Sequence, residues 1–299
     1  MSSRLLFQIG YDMMKFKSDK MRQTWEDEME IVTQTASLLD SIREKTPLIH
    51  HITNYVTVND CANVVLAIGA SPIMADDAGE VEEVVALADA LVLNMGTLNQ
   101  RTVPSMTAAG KRANELGIPV IFDPVGVGIS DLRKSTAQKI CREVKISILR
   151  GNLSEVSFLA GANSTARGVD TAKADEKNDP RSVAKKLAES LKCVVAVTGA
   201  EDVITDGTRV IRIGNGHPML SKVTGTGCMT TSLVGACAGT AEDYLAAAVG
   251  GVASMGIAGE LAYEKAGANG TGSFHIEIID ALSQMSGETF RKMAKIKEG

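Results

Sequence analysis

The chain has 299 residues, 44% of them hydrophobic, and its formal net charge at pH 7 is −5. This length and composition suit one large α/β domain with a substantial core. The negative charge gives no general field that would attract nucleic acid or an anionic membrane. We therefore expect small molecules as partners, and neither nucleic acid nor a membrane.

The five cysteines are scattered along the chain and form no CxxC pair. Such usage is typical of a reduced protein, not of a disulfide framework or a zinc site. The adjacent His50 and His51 would point to opposite faces of a strand and could not share one metal ion. No apolar run looks long and uninterrupted enough to span a membrane, and the first residues lack a convincing secretion signal. These features predict a cytoplasmic protein.

The chain divides into a short extension and one domain. Residues 1–27 are polar and charged without strong periodicity, so we interpret them as an N-terminal extension of uncertain order. A single domain over residues 28–299 begins with Ile31, Leu38 and Ile42 at helical spacing, and Pro47 ends that helix. The charged run 173–179 could be mistaken for a domain linker, but helix and strand patterns resume after it, which favours a surface loop.

Strand and helix patterns alternate through most of this domain. The predicted strands cover residues 47–54, 71–75, 90–94, 119–123, 146–150 and 193–198, and the predicted helices cover residues 57–68, 81–88, 103–116, 132–144, 154–159 and 183–191. Such alternation predicts a parallel sheet with helices on both faces. Asp206-Gly207 is a hairpin signal between two further strands, which makes the sheet mixed at that end. From Thr230 onward the chain is rich in helix and small residues.

A glycine loop, Gly225-Thr226-Gly227-Cys228, leads into the first of these late helices. Glycines let a backbone approach an anion closely, and the first N–H groups of a helix lie at the positive end of its dipole. The loop therefore predicts a phosphate site, and the same field would favour the thiolate of Cys228 as a proton acceptor for a substrate hydroxyl. The alternative is a tight turn that buries Cys228 as a small hydrophobe.

Four polar residues lie at or just after strand ends, where ligands of α/β sheets collect. Asp123 and Glu155 predict a magnesium site, because two carboxylates beside a phosphate would repel each other without a cation. Their alternatives are an Asp-Pro turn and a charge that favours a helix start. Arg150 and Thr198 could bind a nucleotide phosphate or cap a loop.

Two residues near the first strands are candidates for an organic substrate. Met74 ends a short strand, where it could contact an apolar heterocycle or simply pack in the core. Asn54 offers an amide to a ring heteroatom or a hydroxyl, although asparagine is also a common turn residue.

Eight blocks together carry a resemblance far more specific than any one of them. They are HITNYVT, AIGASPIMADD, ADALVLNMGTL, PVIFDPVGVG, ILRGNLSEV, VAVTGAEDVITDG, NGHPML and KVTGTGCM, between about residues 47 and 239. The set closely resembles the hydroxyethylthiazole kinase family of thiamine salvage, within the ribokinase-like superfamily. The resemblance implies a three-layer α/β/α fold with a mostly parallel central sheet. It also implies transfer of the ATP γ-phosphoryl group, with Mg²⁺, to 4-methyl-5-(2-hydroxyethyl)thiazole.

The resemblance also implies roles for individual residues. Met74 and Gly225 correspond to thiazole-binding positions, with Asn54 nearby, and Arg150 and Thr198 correspond to nucleotide-binding positions. Asp123 and Glu155 match acidic positions near the metal and phosphates. The superfamily commonly has aspartate where Cys228 stands, which leaves the catalytic base open. Our own hypothesis is that Cys228 orients or deprotonates the hydroxyl while the amides from Gly225 to Gly227 stabilise the transferring phosphoryl group. The family further implies a homotrimer with active sites at subunit interfaces.

Other functions remain open at this point. The nearest is a related kinase for hydroxymethylpyrimidine or pyridoxal, which would share the phosphate loop but not the pocket around Asn54 and Met74. A nicotinamide-dependent dehydrogenase should carry its glycine motif after an early strand, whereas this loop comes late. A non-catalytic sensor of the thiazole or the nucleotide could keep the same pocket.

Overall fold

A computed structural model of the chain describes residues 26, 28–161 and 179–299. Most of the predicted extension and nearly all of the predicted loop at 173–179 lie outside the described residues. The first helix, α1, covers residues 28–45 and buries Ile31, Thr35, Leu39 and Ile42. The predicted start of the domain is therefore a packed element.

Nine strands form one sheet in the described part of the chain. They are β1 (Leu48–Ile52), β2 (Ser71–Met74), β3 (Ala90–Asn94), β4 (Val120–Asp123), β5 (Ile148–Asn152), β6 (Val194–Thr198), β7 (Asp202–Thr205), β8 (Val210–Ile213) and β9 (Ile296–Glu298). The spatial order is β2-β1-β3-β4-β5-β6-β7-β8-β9. Pairing is parallel from β2 to β6 and antiparallel from β6 to β9. The mostly parallel sheet with a mixed end is confirmed.

Helices cover both faces of the sheet. After α1 they are α2 (Val58–Ile68), α3 (Val81–Val85), α4 (Thr102–Leu116), α5 (Asp131–Glu143), α6 (Leu153–Leu159), α7 (Pro180–Leu191), α8 (Thr226–Ala238), α9 (Tyr244–Ala266), α10 (Thr271–Ser283) and α11 (Gly287–Met293). One core joins α1, α2 and α8 to α11 to the sheet, and the other joins α3 to α7 to the opposite face. Alternate strand residues enter the two cores, as in Val120, Ile121 and Phe122.

The helix α9 differs from the sequence prediction about membrane spans. Residues 244–269 are long and apolar enough to cross a membrane by length and composition, and 89% of their most apolar window is buried inside the domain. A helix that is apolar on all sides and covered by protein is a core helix. Its small residues allow close packing: a Cβ on Gly251 would lie 2.4 Å from the backbone N of Val234 on α8.

Element boundaries also differ from the predicted ones in places. The strand expected over 146–150 is β5 at Ile148–Asn152, so Arg150 is its middle residue and not its last. The strand β9 was not predicted, because three residues that end in Lys297 and Glu298 carry too little pattern to recognise. It is held by pairing with β8, where Ile296 lies opposite Ile213.

Candidate active site

The glycine loop lies where the sequence places it, at the start of α8. Gly225 precedes the helix with φ of 84°, a left-handed conformation that favours glycine. The first backbone bond of the helix runs from the N–H of Met229 to the carbonyl of Gly225, at 2.8 Å. The N–H groups of residues 226–228 therefore have no acceptor within the helix and lie at its positive end. We call residues 225–228 the anion loop.

A row of polar side chains faces α8 from neighbouring strands. Asn94, Asp123, Arg150 and Thr198 continue the alternation that sends Val92, Ile121, Ile148 and Ala196 into the core beneath α8. Because successive side chains alternate between the faces of a strand, these four side chains leave the sheet on the same face. Asn94 and Asp123 lie directly opposite each other in the register of β3 and β4.

Asp123 is the centre of this row and is completely buried. Its Oδ2 accepts hydrogen bonds from Thr231 Oγ1 at 2.6 Å and Asn94 Nδ2 at 3.1 Å, and it lies 3.7 Å from Arg150 Nη1. Its Oδ1 is buried without a partner. Burial raises the pKa of Asp123 to about 6, although the charge of Arg150 opposes this shift and the charge of Glu155 adds to it.

The contacts of the Asp123 carboxylate show whether it could hold a magnesium ion. Among the described residues, no group of three or more histidine, cysteine or acidic side chains could hold a metal ion without other ligands. Mg²⁺ usually takes one or two carboxylates together with water and substrate phosphates, so it needs no such group. Arg150 lies 3.7 Å from Oδ2, whereas the other oxygen, Oδ1, has no hydrogen-bond partner and is available to a cation. Asp123 therefore fits a magnesium ligand.

Glu155 is engaged by the backbone through both carboxylate oxygens. Oε1 accepts from the N–H of Gly126 and Oε2 from the N–H of Asn152, each at 2.8 Å. The side chain of Asn152 in turn accepts from the N–H of Glu155 at 2.9 Å, which completes a capping box at the start of α6. The alternative role of Glu155 as a helix-start residue is thus present in the structure. The charge of Glu155 also contributes to the raised pKa of the buried Asp123.

The guanidinium of Arg150 lies against the anion loop. A Cβ on Gly227 would lie 2.8 Å from Arg150 Nη1, so a side chain at this position would displace the guanidinium. On its other side Nη2 donates to Thr198 Oγ1, and Nε is buried without a partner. The structure therefore brings together the anion loop, Arg150, Thr198 and Asp123, as the sequence predicts.

Asn54 joins this centre to the loop after β1. Its Nδ2 donates to Asn94 Oδ1 at 3.0 Å and to Cys228 Sγ at 3.4 Å, and its Oδ1 accepts from the N–H and the hydroxyl of Thr57. Thr57 also touches the anion loop, because a Cβ on Gly225 would lie 2.4 Å from Thr57 Cγ2. Asn54 is 3% exposed, which separates it from an ordinary solvated turn residue.

The expectation of a thiolate at Cys228 is wrong in direction. Burial is the main cause that raises the pKa of Cys228, and the charge of Asp123 raises it further. Hydrogen bonds from Asn94, Thr57 and Asn54 oppose this shift without reversing it. Sequence reasoning counted the helix terminus and missed the carboxylate behind the thiol. Cys228 is a neutral thiol near pH 7.

Met74 is the least connected of the predicted site residues. It ends β2 opposite His51 of β1 and is partly buried. Its side chain belongs to neither of the two buried cores of the described chain. Its place at the carboxyl end of the edge strand is the one that the sequence predicts.

Sequence reasoning missed three polar residues of this centre: Thr57, Asn94 and Thr231. Asn94 ends a strand just as Asp123 does, so the rule that selected Asp123 could have selected it as well. Thr231 lies one helical turn after Gly227, whose carbonyl it also contacts at 3.2 Å. Its role needed the position of α8 over β4, which a sequence pattern does not contain.

The similarity of this chain to known proteins agrees with that geometry. The model of the hydroxyethylthiazole kinase family matches residues 39–288. Hydroxyethylthiazole kinase of Clostridium beijerinckii is 58% identical over 272 residues, which cover 90% of this chain and 99% of that protein. Hydroxyethylthiazole kinase of Ruminiclostridium cellulolyticum is 59% identical over 270 residues, with the same two coverages.

Solved structures agree with these relatives. The hydroxyethylthiazole kinase protein from Pyrococcus horikoshii OT3 superposes with a TM-score of 0.80 at 38% identity, over 89% of this chain and 98% of that one. A pyridoxal kinase of Bacillus subtilis in complex with ADP has a TM-score of 0.54 at 18% identity, over 72% of this chain and 91% of that one, and shares the fold alone. The chain belongs to the hydroxyethylthiazole kinase family and is a phosphotransferase with a ribokinase-like fold.

Proposed function

We propose that this kinase transfers the γ-phosphoryl group of ATP to the hydroxyethyl group of 4-methyl-5-(2-hydroxyethyl)thiazole, a reaction of thiamine salvage. The proposal rests on two neighbouring contacts of α8. The Arg150 guanidinium packs against Gly227, and one helical turn later Thr231 donates a hydrogen bond to Asp123. Amides, a guanidinium and a buried carboxylate at one point suit phosphoryl transfer, which depends mainly on positioning and charge stabilisation. The names of the relatives supply the acceptor alcohol.

The nucleotide end of the site consists of Arg150, Thr198 and Gly227. Arg150 is only partly paired, because its Nη1 lies 3.7 Å from Asp123 and its Nε has no partner. A guanidinium in this condition has donors left for phosphate oxygens. The amides of residues 226–228 would share the developing charge of the transferring phosphoryl group.

The acceptor end consists of Gly225, Asn54 and Met74, with Cys228 between the two ends. Asn54 holds the Cys228 thiol from the side of β1. Because the pKa of Cys228 is raised, we assign the thiol to orienting the substrate hydroxyl and not to removing its proton as a thiolate. Met74 would provide the apolar contact with the thiazole ring.

Mg²⁺ is the proposed metal cofactor. Asp123 would hold it with phosphate oxygens and water, and Glu155 would act from beside this position while it caps α6. When bound, the ion neutralises charge on the phosphates. The contribution of the chain is to keep Asp123 Oδ1 free of other partners.

We further propose a homotrimer with active sites at subunit interfaces. The side chains of Tyr55 and Val56 are 78% and 57% exposed, and both directly follow Asn54. A second copy of the chain would cover these apolar side chains where the acceptor site opens. Light scattering should then give a mass close to three times that of the 31.5 kDa chain.

The proposed compartment is the cytoplasm. All five cysteines are free in the structure, as expected for a reduced environment. Fractionation of cells that carry the native chain would test this assignment, and enrichment outside the cytoplasmic fraction would contradict it.

The deciding experiment is a parallel assay of three alcohols with ATP and Mg²⁺: the thiazole alcohol, hydroxymethylpyrimidine and pyridoxal. We expect the thiazole alcohol to be phosphorylated with the highest kcat/KM, with one phosphate ester in the ³¹P spectrum for each ADP formed. A preference for either other alcohol would replace the proposed substrate. Binding of the thiazole alcohol without any ADP formation would identify a sensor.

A further inference from the structure

Asn94 is a buried polar residue between the phosphate end and the acceptor end of the site. It ends β3, is 2% exposed, and lies between Asp123 and Asn54. Its Nδ2 donates to Asp123 Oδ2 at 3.1 Å. Its Oδ1 accepts from Asn54 Nδ2 at 3.0 Å and from the N–H of Gly96 at 2.8 Å.

The orientation of the Asn94 amide is fixed by these partners. In the opposite orientation its oxygen would face the carboxylate of Asp123, and its NH₂ group would face two other donors. A buried polar group without a matching partner is costly, so the observed orientation is the only satisfied one. An aliphatic side chain offers neither donor nor acceptor, and serine offers one short hydroxyl in place of the two separate amide atoms that face Asp123 and Asn54.

Asn94 has a different effect at each of its two ends. At the first it occupies Asp123 Oδ2 together with Thr231, so that only Oδ1 is left without a partner. At the second it holds one N–H of Asn54, which leaves the other N–H directed at Cys228 Sγ, and the Asn94 amide also acts directly on this thiol. Gly96 leaves space for this arrangement, because a Cβ there would lie 2.7 Å from Asn54 Cβ.

We propose that Asn94 is a positioning residue that couples the phosphate end of the site to its acceptor end, by orienting both the Asp123 carboxylate and the Asn54 amide. This inference rests on the proposed function for its effect on turnover. Its effect on the Cys228 thiol depends only on the geometry of the free protein. The two readouts therefore fail separately.

The test compares Asn94→Leu, of nearly the same shape, with a matched control, Asn215→Leu. Asn215 is also buried, donates to Glu260 and the carbonyl of Met293, and accepts from the N–H of Lys295, but it lies at the β8 and β9 side of the sheet. Both variants lose a comparable set of hydrogen bonds, so thermal unfolding should show a similar loss of stability. Asn94→Ser is the second variant if Asn94→Leu does not fold.

The first readout uses no substrate. Alkylation of Cys228 by iodoacetamide, followed by mass spectrometry of its peptide, should slow by about threefold or more in Asn94→Leu, since the sulfur loses donors that favour the thiolate. In Asn215→Leu the rate should equal that of the parent. An unchanged or faster rate in folded Asn94→Leu and Asn94→Ser would overturn the proposal.

The second readout is kinetic. In Asn94→Leu we expect kcat to fall about 100-fold, while the Kd for ADP changes less than about threefold, because the hydrogen bonds of Asn94 go to Asp123, Asn54 and Gly96 and not to the nucleotide-binding Arg150 or Thr198. In a double-mutant cycle, the variant that carries both Asn94→Leu and Asn54→Leu should lose little more kcat/KM than the worse single variant. When Asn215→Leu is combined with Asn94→Leu, the two losses of kcat/KM should add. Additive losses for the 94/54 pair would refute the coupling. If the unsubstituted protein does not phosphorylate the thiazole alcohol, only the proposed function is refuted. The alkylation rates would still decide the role of Asn94.

Discussion

Two arginines of this chain lie in contrasting surroundings. Arg150 is 13% exposed, lies 3.7 Å from a completely buried carboxylate, and keeps a buried Nε without a partner. Arg209 is 44% exposed and binds Asp206 at 2.8 Å and Asp243 at 2.9 Å. We call Arg209, Asp206 and Asp243 the Arg209 cluster. Each charged group of this cluster has a charged hydrogen-bond partner within the chain, whereas Arg150 Nε and Asp123 Oδ1 are buried without partners.

The pKa values follow the same contrast. Burial raises the pKa of Asp123, and the guanidinium of Arg150, 3.7 Å away, opposes this shift without reversing it. Burial also opposes the charge of Asp206, but hydrogen bonds from Thr208 and Arg209 outweigh it and lower the pKa to about 2. A site that must bind a charged ligand keeps donors and acceptors available, at a cost to stability. In the Arg209 cluster the charged groups are hydrogen-bonded to one another, an arrangement that favours the folded state.

The largest effect should come from removing Arg150. In Arg150→Met we expect kcat/KM for ATP to fall about 10³-fold, because the phosphates lose a guanidinium in a largely buried site. In Arg209→Met the same constant should stay within about threefold, and the free energy of unfolding should fall by about 1 kcal/mol. Steady-state kinetics and urea unfolding of both variants provide the check. Equal losses of activity would remove the distinction between the two arginines.

The next effect concerns Asp123 and magnesium. In Asp123→Asn we expect turnover to fall about 100-fold and the magnesium concentration for half-maximal rate to rise, since a neutral amide is a poorer ligand for Mg²⁺. Asp243→Asn, in the Arg209 cluster, should leave the magnesium titration unchanged. Superimposable titrations of Asp123→Asn and the parent would exclude Asp123 as a magnesium ligand.

A smaller effect should follow from Gly227→Ala. The new Cβ would lie 2.8 Å and 3.1 Å from the two terminal nitrogens of Arg150, so the guanidinium must shift. We expect the KM for ATP to rise about tenfold, since displaced phosphate ligands weaken binding and orientation. Gly272→Ala is the matched control: Gly272 is also the second residue of its helix, and a Cβ there would meet no other atom within 4 Å. A normal KM in Gly227→Ala would show that Arg150 does not need this approach.

The sequence predicted much of this centre because one rule applies to all strand ends. Asp123, Arg150 and Thr198 follow apolar strand residues, and parallel strands deliver such side chains to one edge of the sheet. The glycine loop carried its own signal through the helix that follows it. By contrast, the sequence left Glu155 with two alternatives, metal binding and a helix start, and the contacts to Gly126 and Asn152 show that the helix-start role is present.

The pKa direction of Cys228 could not be read from the sequence. A helix start favours a thiolate, but burial raises the pKa of Cys228, and so does the charge of Asp123, which comes from a strand more than a hundred residues earlier in the chain. For the same reason, the small residues of α9 indicated close helix packing, but only the structure shows that most of the helix is buried while Tyr263 near its end is exposed. Long-range packing decides both outcomes, whereas local patterns decide the order of strands and helices.

Replacing Cys228 should have a modest effect if its thiol only orients the hydroxyl. In Cys228→Ala we expect turnover to fall about fivefold, well below the loss typical of a missing general base, with little change in the KM for ATP. Cys237→Ala, a fully buried cysteine later in α8, should change stability and not turnover. Stopped turnover in Cys228→Ala would restore the thiol as the base, and unchanged turnover would remove it from the mechanism.

The smallest effect compares two aspartates of one hairpin through pH. Burial raises the pKa of Asp202 from 3.8 to about 6, so its ionisation costs stability as pH rises from about 4 to 7. Asp202→Asn keeps the oxygen that accepts from the N–H of Gly199. Its free energy of unfolding should rise by about 1 kcal/mol at pH 7 and not at pH 4.

The pKa of Asp206 is lowered from 3.8 to about 2, so its contribution to stability is present at pH 7 and disappears as pH falls through about 2. The free energy of unfolding of Asp206→Asn should therefore be about 1 kcal/mol lower than that of the parent at pH 7. This is less than the pKa shift alone implies, because solvent screens the side chain, and the difference should vanish near pH 2. Urea unfolding between pH 2 and 8 measures both differences, and curves of the same sign for the two variants would mean that the hairpin does not separate a matched charge from an unmatched one.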